Sequence, residues 1–120
     1  MNCQSLYDAA CLIGKALRTV HARDAESLKK LGLDFNPVVI LGGQIHGERP
    51  RLFNIYSAGN FIEATPETTY FQIGESKYGK PIIDPVIRRS SSLAEATKCA
   101  LISMDSTIRS NLSVGLPLDL

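Results

Sequence analysis

The chain has 120 residues, 44% of them hydrophobic and 21% charged, which fits one ordinary globular domain and excludes fibrous or disordered classes. Thirteen basic and twelve acidic residues leave a net charge of +1 and are well mixed. No basic face for nucleic acid or an anionic membrane is visible, and no apolar run is long enough to span a bilayer.

The N-terminus lacks a charged-then-apolar secretory pattern, so cytoplasmic residence is expected. Cys3, Cys11 and Cys99 form an odd set without CxxC spacing. They read as free thiols in a reducing compartment rather than a disulfide framework or zinc site.

Ser5 to about Arg23 reads as an amphipathic helix, with Leu6, Ala10, Ile13, Leu17 and Val20 on one stripe. Ser5 and Asp8 have the spacing of a capping box. A continuation through Lys30 ends at Gly32, a good residue just past a helix. Phe35 to Gln44 is a near-continuous apolar run rich in β-branched residues, expected to be a strand buried on both faces. Its paired glycines, Gly42 and Gly43, suggest a bulge or a close backbone approach. Leu52 to Tyr56, Phe61 to Ala64 and Thr69 to Ile73 read as three further strands. The turns between them are short, so a four-stranded antiparallel meander is expected.

Glu75 to about Arg89 is interrupted by Gly79, Pro81 and Pro85 and reads as one or two short helical pieces. Ser92 with Glu95 marks a second capping box, opening a helix to about Arg109. A hydroxyl-rich loop follows, and a strand is expected from Leu116. Val39, Leu41, Phe53, Ile55, Phe61 and Phe71 are too many for a sheet covered on one face, so a second covering layer is expected.

Several local patterns invite sharper readings. Gly74-Glu75-Ser76-Lys77-Tyr78-Gly79-Lys80-Pro81 approaches a phosphate-binding loop, but Pro81 replaces the magnesium-binding hydroxyl and Glu75 puts a carboxylate in the cradle. A glycine turn into a short helix is the better reading. His21 and His46 have no ligand-spaced Cys or carboxylate, so no metal site is expected. No cofactor is implied. Asp84 and Asp105 are isolated carboxylates, Ser90-Ser91-Ser92 reads as a cap, and Cys99 as a small core residue. Ser110 and Ser113 admit two readings, as loop residues satisfying backbone groups or as residues lining a site.

Six strings carry a resemblance over nearly the whole chain: Phe35-Asn36, Leu41-Gly42-Gly43-Gln44-Ile45, Arg51-Leu52-Phe53, Tyr56 through Thr65, Gln72 through Pro81 and Met104 through Leu120. They are similar to the bacterial Anbu-type (ancestral β-subunit) proteasome-like proteins, a branch of the N-terminal-nucleophile hydrolases. The resemblance implies an α+β fold, the C-terminal part of a four-layer αββα sandwich, with residues 1–120 forming a single partial domain. It implies a threonine-type peptidase acting on peptides or unfolded proteins and assembled into rings or helical turns.

In that superfamily an N-terminal threonine is the nucleophile, its own amine is the base, and a lysine and an aspartate support it. All three belong to the N-terminal half, and the chain is expected to start after that half, so none is carried over. Met1 precedes the bulky Asn2, which should prevent methionine removal, and no N-terminal nucleophile is expected. Ser113 matches the family serine that bonds near the nucleophile's amine. Ser110 falls where related β-subunits usually have aspartate. Glu75 and Ser76 fall in a turn where others have Gly-Ser-Gly-Ser, and only Gly74 agrees. The expected function is a truncated proteasome-type subunit, inactive alone. The alternatives are a non-catalytic assembly subunit that self-associates through its sheet and helices, and a stand-alone α/β binding module.

Overall fold

The computed structural model describes residues 3–120; the expectation for Met1 and Asn2 lies outside the described residues. Two compact units divide the chain, Met1–Phe71 and Gln72–Leu120.

The first unit opens with helix α1, Leu6–Lys30, longer than the stripe alone indicates because no breaker interrupts it before Gly32. Both halves of the Ser5–Asp8 capping box form: Ser5 Oγ accepts from the Asp8 amide at 3.0 Å, and Asp8 Oδ2 accepts from the Ser5 amide at 3.0 Å. At the other end Leu33 N donates to Leu28 O and Gly32 N to Lys29 O, both at 3.0 Å. That double closure requires the left-handed backbone of Gly32, at φ +74°.

Strands β1 (Val39–Gly43), β2 (Arg51–Ile55) and β3 (Phe61–Glu63) follow, in sheet order β1-β2-β3, all antiparallel. The register pairs Val39 with Ile55 and Leu41 with Phe53, then Ile55 with Phe61 and Phe53 with Glu63. Residues two apart share a face, so Val39, Leu41, Phe53, Ile55 and Phe61 all point the same way. They pack against Leu6, Ala10, Ile13 and Leu17 of α1 as one cluster, in which Ala10, Phe53 and Ile55 are fully buried. Phe53 and Ile55 each contribute about 1.5–3 kcal/mol by leaving water. Tyr7 and Phe53 meet Phe61 edge to face, at centroid distances of 5.4 and 5.7 Å.

This register corrects the expectation that these side chains need two covered faces: one helix covers five of the six. The opposite face carries Ile40, Leu52, Asn54 and Ile62, and Ile62 is 47% exposed. Two further expectations change. β1 is an edge strand, half-buried with exposed glycines, not a strand buried on both faces. It is also regular: Gly42 and Gly43 pair with Leu52 and Arg51 without a bulge, and the Leu6 side chain lies where a Gly43 Cβ would point. The expected fourth strand, 69–73, forms no ladder among the described residues. β3 is only three residues long, and the chain leaves it through a turn closed by Thr68 N to Thr65 O at 3.1 Å.

A close backbone crossing locks α1 to the β2–β3 turn. A Cβ on buried Gly14 would collide with the Gly59 carbonyl, and Gly59, at φ +78°, accepts from Arg18 Nη1 at 3.1 Å. At the sheet end, Arg51 donates to both Glu63 oxygens at 2.7 Å and stacks 4.9 Å from the Phe53 centroid. The Arg51 guanidinium holds the Glu63 carboxyl below its usual range.

The second unit contains α2 (Lys80–Ile83) and α3 (Leu93–Ser110). Only one turn of helix forms between Glu75 and Arg89, since Gly79, Pro81 and Pro85 leave no longer uninterrupted run. α3 opens on the Ser92–Glu95 capping box: Ser92 N donates to Glu95 Oε2 at 2.8 Å and Glu95 N to Ser92 Oγ at 3.3 Å. Gly79 touches α3 closely, because a Cβ there would meet the hydroxyls of Ser103 and Thr107. The strand expected from Leu116 is an irregular segment without ladder partners among the described residues. Three-stranded antiparallel sheet and helices make the chain α+β.

Candidate functional site

In the second unit a chain of polar side chains forms where two loops meet. The first loop begins at Gly74, at φ +83°, and puts Glu75 immediately after the turn. Gln72 Nε2 donates to the Glu75 carbonyl at 2.9 Å, which fixes the backbone there. The second loop leaves the C-terminus of α3. Asn111 caps that helix, its amide donating to Thr107 O at 2.8 Å.

These two anchors bring Glu75 and Asn111 into direct contact: Asn111 Nδ2 donates to Glu75 Oε2 at 2.7 Å. The other carboxylate oxygen, Oε1, accepts from the Lys77 amide at 2.6 Å. Asn111 Oδ1 accepts twice from Ser113, from its amide at 2.9 Å and from its hydroxyl at 2.7 Å. The Asn111 carbonyl accepts from Val114 N at 3.1 Å and closes the turn. Every hydrogen-bonding group of Asn111 thus has a directed partner.

Of the four residues named from sequence, the structure joins two. Glu75 and Ser113 are linked through Asn111. Ser76 and Ser110 lie on the same two segments, both exposed, and stand outside this hydrogen-bonded chain. Asn111 was missed. Its signal was the Asn-x-Ser spacing directly after a helix, a pattern in which an Asn oxygen accepts from the amide two residues on.

Beside this chain lies a cleft of about 290 Å³, lined by Gln72, Glu75, Ile83, Ser103, Thr107 and Val114 among others. Ser103 and Thr107 of α3 are buried, and Thr107 Oγ1 donates to the Ser103 carbonyl at 2.9 Å. Gln72 Oε1 is buried without a hydrogen-bond partner, an uncompensated acceptor of the kind that marks unusual sites. The phosphate-loop pattern folds as a turn into α2, and the Glu75 carboxylate takes the Lys77 amide that a phosphate would need.

In the first unit a larger cleft, about 510 Å³, lies between α1 and residues 33–36. His21 lines it and meets Phe35 edge to face at 5.6 Å. Among the described residues no three His, Cys, Asp or Glu side chains converge as a metal site. No helix among them is long and apolar enough to cross a membrane. Cys3, Cys11 and Cys99 are free thiols, the last buried.

No protein-family model matches the chain, and a comparison with curated proteins found no match. Solved structures do match. Anbu (ancestral beta-subunit) from Yersinia bercovieri is 61% identical over 98% of this chain, with a TM-score of 0.86. Anbu from Hyphomicrobium sp. strain MC1 is 53% identical over 96%, with a TM-score of 0.83. The helical assembly of the Anbu complex from Pseudomonas aeruginosa is 51% identical over 97%, with a TM-score of 0.88. The match covers 47%, 45% and 48% of those chains, so this chain spans about half their length.

Proposed function

Because the chain belongs to the Anbu (ancestral beta-subunit) family over about half the length of its members, we propose that it is the C-terminal part of a proteasome-type subunit. In this reading the sheet of the first unit is one of two in a four-layer αββα body. Its Ile40, Leu52 and Ile62 face then meets the second sheet. The observation that carries the reading is identity above half over 96–98% of the chain, together with TM-scores of 0.83–0.88.

The complete subunit acts in intracellular proteolysis as a threonine-type peptidase. A threonine hydroxyl attacks the scissile carbonyl of a peptide or unfolded protein, the threonine's amine takes the proton, and backbone amides hold the oxyanion. That threonine, with its lysine and aspartate, belongs to the part of the subunit this chain does not match. The chain contributes the wall carrying Glu75, Asn111 and Ser113, and by itself does not cleave peptides. The test is hydrolysis of fluorogenic peptides by the purified chain, alone and co-expressed with the unmatched part of Yersinia bercovieri Anbu. Background turnover alone and inhibitor-sensitive turnover in the pair support the reading. Labelling of the isolated chain by a threonine-directed inhibitor refutes it.

A second reading is a non-catalytic assembly subunit. The exposed, adjacent Leu101 and Ile102 of α3, 40% and 59% accessible, favour it. So does the helical assembly formed by the Pseudomonas aeruginosa relative. Self-association without hydrolysis in the reconstituted pair distinguishes it.

A further inference from the structure

We infer that Glu75 is a positioning residue for Ser113, acting through Asn111, and that the three form a relay which presents the Ser113 oxygen as a hydrogen-bond acceptor. The inference rests on the proposed reading of residues 110–113 as part of a peptidase site, and it adds to that reading a role for two residues. Ser110, beside Asn111, is a neutral, exposed serine. The carboxylate of this wall comes from the other loop, as Glu75, and it reaches Ser113 through one amide side chain.

The direction of each bond follows from the chemistry of the groups. A carboxylate only accepts, so Glu75 Oε2 at 2.7 Å fixes which end of the Asn111 amide is nitrogen. The Asn111 oxygen must then point to Ser113. There it accepts the Ser113 amide at 2.9 Å and the Ser113 hydroxyl proton at 2.7 Å. With its proton committed, the exposed Ser113 Oγ offers only lone pairs outward. It is set to receive a donor, and in the proposed subunit that donor is the free amine of the nucleophilic threonine. Reversing the Asn111 amide would set an oxygen against the carboxylate and its NH₂ group against the Ser113 backbone amide, which can only donate. The relay therefore has one polarity, set by Glu75. Lys77 N on Glu75 Oε1 at 2.6 Å holds the carboxylate in place.

Nuclear magnetic resonance on the 120-residue chain tests the relay without requiring activity. In the wild type, an Asn111 side-chain NH₂ resonance should be displaced from its free position and exchange slowly. Glu75→Ala should return it to the free position and speed solvent exchange of the Ser113 amide, two links away, by about tenfold. Glu75→Gln keeps an acceptor for Asn111 or for Lys77 but not for both, and should recover part of the effect. Amides of the first two turns of α3, in the same unit, serve as the folding control. If Glu75→Ala frees Asn111 while Ser113 exchange and shift are unchanged, the relay does not exist. Equal behaviour of the Ala and Gln variants would also overturn it. The reconstituted pair gives a separate readout. Glu75→Ala should lower kcat about tenfold with little change in KM, and Glu75→Gln should restore part of it. A pair that is inactive with wild-type sequence refutes the peptidase reading and leaves the relay decided by the resonance data.

Discussion

Gly14→Ala should destabilise the first unit, against the usual trend for a helix interior. An alanine in α1 gains about 1 kcal/mol over glycine in helix propensity. At Gly14 the new methyl meets the Gly59 carbonyl oxygen and lies 3.1 Å from its carbon, both backbone atoms. The turn carrying them has no slack, since Gly59 N donates to Tyr56 O at 2.8 Å and Tyr56 N to Asn60 O at 2.9 Å. Pushing helix and turn apart costs about 1–3 kcal/mol in overpacking and about 1 kcal/mol for the Arg18–Gly59 hydrogen bond. The net loss is about 1–3 kcal/mol. In urea denaturation followed by far-ultraviolet circular dichroism, that lowers the midpoint by about 1–2 M with unchanged slope, and Tm by about 5–15 °C. Gly115→Ala is the control: its Cβ meets open space, and its effect should stay within about 0.5 kcal/mol. A Gly14→Ala chain as stable as the parent would refute the backbone crossing.

Ser92→Ala should cost about 1 kcal/mol by removing the acceptor for the Glu95 amide at the start of α3, measured by the same denaturation. Glu63 titrates below its usual range in the fold, chiefly through its hydrogen bond with Arg51, so it contributes stability that is present above the unfolded carboxyl pKa. That contribution falls away as pH drops through the native pKa; the stability gap between wild type and Glu63→Gln should therefore close in acid, and a gap independent of pH would contradict the pairing. Ile102→Asp should shift the chain towards monomer in light scattering, given the exposure of Ile102 on α3, while an unchanged mass would count against α3 as a self-association surface.

The helices were legible because their information is local. Ser5 with Asp8 and Ser92 with Glu95 mark both long starts at three-residue spacing, and Gly32 marks the stop of α1. The sheet was legible as strands but not as faces. Counting apolar residues suggested two covered faces. The register shows Val39, Leu41, Phe53, Ile55 and Phe61 on one face, because the alternation matters more than the count. Residues 69–73 have strand-like composition, yet a ladder needs a neighbour, and pairing is not written in the segment itself. The site divides the same way. Glu75 and Ser113 stood out by resemblance. Asn111 joins them across 36 residues of sequence, a contact no local pattern reveals.

The central claim is that this chain is one part of a two-sheet subunit, and the mass of the co-expressed pair tests it most directly. Size-exclusion chromatography with light scattering should find the chain bound one-to-one with the unmatched part of Yersinia bercovieri Anbu, alone or as a multiple of that unit. Two species that elute separately, each folded and without affinity for the other, would contradict it.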